Sequence, residues 1–154
     1  SADPDYTVGL KGKRISDGQF FITNMERGRW SPGRVATTVK NTATQDGRVC
    51  NIRMAQDPGQ AGKQQAAFYM TYLAGWPLNI VPVAGSGDKE ARARPAAAQA
   101  EFGFINIVRG DWNEEFFNEV CSFPASRHDD ITDALSDLID ELSNHSTFSY
   151  DNVM

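Results

Sequence analysis

Apolar residues recur along this chain in two rhythms, short β-rich runs and longer stretches with helical spacing, and the two alternate. Residues 6–11 and 19–25 are β-rich and flank a polar turn carrying Asp17-Gly18, a pattern that predicts an antiparallel hairpin. Ser31-Pro32 then supplies an N-cap and a proline at the first helical position. The helix it opens should run to about Thr44, where Asp46-Gly47 stops it. A strand is predicted over 49–55, a helix over 60–74 closed by Gly75, and a strand over 78–83. Residues 88–101 are Ala-rich and helical in pattern, with Pro95 expected to kink or split the helix. A strand over 104–108 and a helix over 113–120 lead into a last helix that opens around Arg127-His128-Asp129-Asp130 and runs to about Leu142. Strands alternating with helices after an opening hairpin define an α/β domain with a mixed sheet, its later strands parallel.

The last helix carries the densest candidate chemistry. Ile131, Ala134, Leu135, Leu138, Ile139 and Leu142 form an apolar stripe. Asp130, Asp133 and Asp137 fall on an adjoining line, because residues three or four apart share a helix face. Acids at this place serve either of two purposes. They cap the helix and complement its dipole, or, as hard oxygen donors on a rigid support, they bind a divalent cation. A second acid, Asp57, ends the 49–55 strand in Gln56-Asp57-Pro58-Gly59, and strand ends are where α/β sheets form their sites.

With 154 residues, 40% of them hydrophobic, the chain is long enough for one domain with one sizeable core. A net charge of −5 excludes a global basic footprint, so any nucleic-acid contact must come from local Lys and Arg clusters. Lys89, Arg92 and Arg94 form one such cluster, Lys63 follows a Gly-rich turn that lacks the Walker A pattern, and Arg27, Arg29 and Arg34 form a second patch. Solvation of the surface is the alternative use of each. Cys50 and Cys121 stand outside any metal-binding spacing and read as reduced core residues, and Trp112 reads as core. No run is long and apolar enough to span a bilayer and no signal peptide is evident, so the expected location is the cytoplasm. The start at Ser1-Ala2-Asp3-Pro4 reads as a boundary inside a larger protein, and the tail after Asn144 is the one stretch whose composition suggests flexibility.

Five segments in order carry a resemblance: Gln56-Asp57-Pro58-Gly59-Gln60-Ala61-Gly62-Lys63, Gly87-Asp88-Lys89-Glu90-Ala91-Arg92-Ala93-Arg94-Pro95, Ala98-Gln99-Ala100-Glu101-Phe102-Gly103, Gly110-Asp111-Trp112-Asn113, and Phe123-Pro124 with His128-Asp129-Asp130. Together, from about Asp5 to Leu142, they resemble the C-terminal nuclease domain of the large terminase subunit of tailed bacteriophages and prophages. The resemblance implies an RNase H-like fold close to RuvC-type resolvases, spanning residues 1–154. It also implies an endonuclease that cuts concatemeric double-stranded DNA during packaging, using two Mg²⁺ or Mn²⁺ ions. The upstream ATPase domain of the same polypeptide, the portal protein and the small terminase subunit are the partners it implies.

Carried over by position, the strand-end acid falls on Asp57 and the helix acids on Asp130 and Asp133, whose spacing matches the D-x-x-D-A-L of RuvC-type enzymes. Asp129 is the expected helix cap, able to exchange roles with Asp130 as a metal ligand, and His128 a residue that positions a ligand or phosphate. Lys63, Lys89, Arg92 and Arg94 are the expected DNA contacts. Two departures stand out. Many relatives carry a Glu in the strand-end motif where one register places Ala55. The family's first strand, with its catalytic Asp, is expected upstream of the hairpin and is not in this sequence; Asp3 and Asp5 lie nearest its place. The competing readings are a Holliday-junction resolvase-like nuclease and a catalytically incomplete DNA-binding or assembly module.

Overall fold

The computed structural model describes residues 5–83 and 89–146. The elements in order are β1 (Thr7–Arg14), β2 (Phe20–Gly28), α1 (Pro32–Asp46), β3 (Ile52–Gln56), α2 (Gln60–Tyr72), β4 (Leu78–Pro82), α3 (Lys89–Glu101), β5 (Ile105–Ile107), α4 (Asn113–Val120) and α5 (Asp130–Glu141), and a π-helical turn (Leu142–Ser146) continues α5. The alternation read from the sequence is therefore present. Asp3 and the Gly87-Asp88 pair lie outside the described residues, as does the chain beyond residue 146. No helix among the described residues is long and apolar enough to cross a membrane.

The elements fall into two compact units, Ser1–Arg29 with Asp88–Met154, and Trp30–Gly87. In the first unit β1 and β2 form the expected hairpin, closed by Gly18 N–H donating to the Ile15 carbonyl and Gln19 N–H to the Asp17 carboxylate. β5 adds in parallel to the other edge of β2, giving a mixed sheet of order β1-β2-β5. The hairpin register shifts between Lys11 and Gly12. Gly12 also lies against α5: a Cβ there would lie 2.8 Å from the Phe21 carbonyl oxygen and 3.0 Å from Leu138. Absence of a side chain lets the helix settle on the hairpin.

Two apolar clusters hold this unit, and α5 contributes to both. Phe20, Ala96, Ile139 and Leu142 form one; Met25, Phe116 and Ile131 form the other, with Trp112 packed against it as expected. Ile131 and Ile139 are 0% and 1% exposed. Burial of each contributes about 1.5–3 kcal/mol, which fixes the rotation of α5 and hence the face its acids occupy.

In the second unit β3 and β4 pair in parallel, Ile52 opposite Leu78 through Gln56 opposite Pro82, as a separate two-stranded sheet. Its core is Ala36, Tyr69 and Leu73, packed by Val39, Ile52, Met54 and Trp76 among others. Ser31 caps α1 as predicted, its Oγ accepting the Arg34 N–H at 3.3 Å, and Gly47 ends the helix.

Three local expectations are corrected. The third strand begins at Ile52 rather than 49, because Cys50 N–H closes a turn onto the Gly47 carbonyl and leaves Val49 exposed. α3 runs through Pro95 as one helix; the proline lies on an exposed position while Ala93 and Ala96 face the core. Neither cysteine is a core residue: Cys50 is half-buried, and Cys121 is exposed, off the α4 face that buries Phe116 and Glu119.

Candidate active site

The start of α5 is built by two neighbouring helices. Asp129 occupies the N-cap position, and the Asp133 N–H donates to its backbone carbonyl at 2.9 Å, but its carboxylate makes no capping bond. That carboxylate instead accepts the Lys89 ammonium of α3 at 2.5 Å. The capping role passes to Glu119 of α4, whose Oε2 accepts the Thr132 N–H at 2.9 Å. The expected cap is thus in place as backbone, while its side chain is used elsewhere.

Around this turn the carboxylates are crowded. Burial pushes the Asp130 carboxyl above its ordinary value, and the charges of Asp129 and Asp5 add to the rise, against the opposing pull of His128 and Arg27. Asp133 is raised in the same way, first by burial and then by Asp129, with Lys89 and Arg92 lowering it. Lys89 Nζ stands 3.7 Å and Arg92 3.8 Å from the Asp133 carboxylate. Two of the expected DNA contacts therefore face the acids of this unit. Arg94 is exposed on α3.

Beside the turn lies an open cleft of about 460 Å³, lined by Arg27, Asp111, Glu115, Glu119, Ser126 and His128 among others. His128 meets Tyr6 edge-on with ring centroids 5.1 Å apart. Arg27 and Arg29 stack on the same Tyr6, 3.6 Å and 4.5 Å from its centroid, and Arg27 pairs with Glu115. The basic patch expected at Arg27 and Arg29 is thus a cation–π stack in the first unit. Arg34 lies over Trp30 in the second.

In the second unit Asp57 follows β3 directly and is exposed. Gly62, in the first turn of α2, lies so close that a Cβ would overlap the Asp57 carbonyl, so the helix start and the acid share one tight bend. Lys63 is exposed on that same turn. Among the described residues, no three His, Cys, Asp or Glu side chains come together in a group able to hold a metal ion. The carboxylates of Asp130 and Asp133 are all-oxygen donors of the kind Mg²⁺ and Mn²⁺ select, and the charge around them is of the sign a dication would relieve.

Glu119 was not singled out from the sequence. The signal was available: Phe116, Glu119 and Val120 share one face of α4, so a carboxylate sits in an otherwise apolar stripe. A charge in that position is buried only when a partner needs it.

The family of terminase RNaseH-like domains matches residues 1–142. This chain belongs to that family. Membership places it, at that level, with the nucleases of phage DNA packaging, as the five ordered segments implied. The mixed sheet with its antiparallel hairpin and flanking helices agrees with the RNase H-like domain expected. No curated protein and no solved structure matches the chain.

Proposed function

We propose that this terminase RNaseH-like domain is a divalent-metal-dependent endonuclease that cuts concatemeric double-stranded DNA during genome packaging in the bacterial cytoplasm. The observation that carries the reading is the first turn of α5, where Asp130 and Asp133 are partly buried among further carboxylates at fixed helical spacing. Gathering acids in this way costs free energy unless a cation joins them. Asp130 and Asp133 would hold Mg²⁺ or Mn²⁺, with Asp129 available once Lys89 moves away and Asp57 as the further acid assigned by family position. Such ions supply Lewis acidity that activates water and stabilises the leaving oxygen of an in-line phosphoryl displacement.

The remaining roles fall to this chain's own cations. Lys89 and Arg92, already beside the acids, hold the scissile phosphate; Lys63 and Arg94 contact the flanking backbone. Phosphate contacts of this kind position a duplex without reading its bases, so sequence specificity is low. The upstream ATPase domain, the portal protein and the small terminase subunit are the partners this role requires.

One observation favours a second reading, a DNA-binding or assembly module without catalysis: no three-ligand metal group is assembled among the described residues. The test is Mn²⁺ titration by calorimetry together with plasmid cleavage, using Asp130→Asn and Asp57→Asn. Saturable Mn²⁺ binding that Asp130→Asn weakens, with cleavage lost in both variants, supports the nuclease. Neither binding nor cleavage by the unaltered protein sinks it in favour of the module.

A further inference from the structure

The oxygen that terminates α5 belongs to another helix. Asp129 stands at the N-cap, where a carboxylate ordinarily accepts the N–H groups of the first turn. Its own is 2.5 Å from Lys89 Nζ. Glu119 is 7% exposed, and its Oε2 takes the Thr132 N–H at 2.9 Å. That amide lies between Asp130 and Asp133, and Thr132 itself is 7% exposed. The backbone of the acidic turn is thus pinned at two points: the Asp133 N–H on the Asp129 carbonyl, and the Thr132 N–H on Glu119.

A charge-assisted bond to a helix N-terminus inside a protein is about twice as strong as a neutral one, and the helix dipole adds to it. The other Glu119 oxygen, Oε1, is buried without a hydrogen-bond partner. A glutamate kept in place at that cost is held by what Oε2 does.

We propose that Glu119 is the positioning residue of the acidic helix: by capping α5 from α4 it sets the direction of Asp130 and Asp133 and releases the Asp129 carboxylate for Lys89. The inference rests on the metal-dependent reading above for its functional consequence, and on the cap geometry for its structural one. Glu119 touches neither metal nor DNA in this role; it acts through the backbone amide of Thr132.

Three variants test it, Glu119→Ala, Glu119→Gln and Asp129→Ala, each followed by amide hydrogen exchange at Thr132, Mn²⁺ calorimetry and cleavage kinetics. Glu119→Ala should lower Thr132 protection about ten-fold or more, the scale of one charge-assisted bond. It should weaken Mn²⁺ binding by a similar factor and lower kcat with KM for DNA unchanged. Glu119→Gln keeps an acceptor oxygen and should restore protection and Mn²⁺ affinity to within about three-fold, less than the loss of the whole bond. Asp129→Ala should leave Thr132 protection unchanged. A folded Glu119→Ala protein with wild-type Thr132 exchange, or loss of that protection in Asp129→Ala, overturns the proposal. Should Glu119→Ala fail to fold, Asp129→Ala still decides which side chain is the cap. If the unaltered protein binds no Mn²⁺ and cuts no DNA, the nuclease reading falls, and the exchange data alone judge the cap.

Discussion

Replacing Lys89 with Met separates two uses of one ammonium group. Its Nζ is 2.5 Å from the Asp129 carboxylate and 3.7 Å from that of Asp133, with Arg92 completing the network at 3.8 Å. The lysine side chain is 50% exposed and that of Asp129 34%, so solvent screens the attraction. Exposed pairs of this kind contribute about 0.2–1 kcal/mol each. With two contacts, Lys89→Met should cost about 1 kcal/mol, or about 2–4 °C in Tm for a chain of this size. The effect on ligands should be larger and of opposite signs. Lys89 neutralises two carboxylates that a dication would otherwise meet unpaired, so its removal should tighten Mn²⁺ binding about five-fold, the equivalent of that same 1 kcal/mol. Removing a phosphate contact should at the same time weaken DNA binding and flatten its salt dependence by about one charge. Urea unfolding, Mn²⁺ calorimetry and DNA titration over a salt series measure the three quantities. A stability loss above about 2 kcal/mol would make Lys89 a structural strut rather than a surface pair. Weaker Mn²⁺ binding in the variant would refute the view that it stands in for a cation.

Ile131 lies behind the acids and is fully buried with Met25 and Phe116; Ile131→Ala should destabilise by about 2–5 kcal/mol in urea, and a loss under about 1 kcal/mol would show that this cluster does not anchor the turn. Gly62→Ala drives a methyl group into the Asp57 carbonyl; it should cost about 1–3 kcal/mol and lower cleavage by displacing Asp57, and unchanged stability would contradict the tight bend. The pH dependence has a definite sign. Asp130 and Asp133 are raised above 3.8 in the folded chain, so the folded state binds more protons than the unfolded one between 3.8 and the raised values. Their contribution to stability therefore improves as pH falls through that window and is lost again as pH rises. An Asp130→Asn, Asp133→Asn double variant should be more stable than wild type at neutral pH, with the advantage vanishing toward pH 3.8; a double variant less stable at neutral pH would contradict the crowding.

The order of elements was legible because each boundary carried local chemistry. Ser31-Pro32 and Gly47 bracket α1, and Asp17-Gly18 turns the hairpin. The error at the third strand had the same origin in reverse. Val49 and Cys50 continue its apolar run, but the turn that Gly47 makes has not ended. Site residues were legible as types and spacings: Asp130 and Asp133 do adjoin the buried stripe. What they face was not. The partners of Asp129 and Asp133 come from α3, some forty residues earlier, and no periodicity reports a contact at that separation. The pairing of Lys89 and Arg92 with acids was hidden for the same reason, since a cation reads identically in sequence whether it meets a carboxylate or a phosphate.

The acidic turn of α5 also shows why capping and cation binding compete for the same residue type. An aspartate whose oxygen accepts a first-turn N–H has directed that lone pair along the helix axis, where it is shielded from a cation. Here the axis is served by Glu119, from a helix whose apolar face already fixes its place through Phe116. Asp129 is left pointing sideways, at Lys89. The turn thereby leaves the Asp129 carboxylate off its own backbone and on Lys89, beside the Asp133 carboxylate that Lys89 and Arg92 also approach. With Asp129 as its own cap, the neighbouring ammonium would have less to hold. The division of labour between α4 and α5 therefore sets how many carboxylates this end of the helix presents.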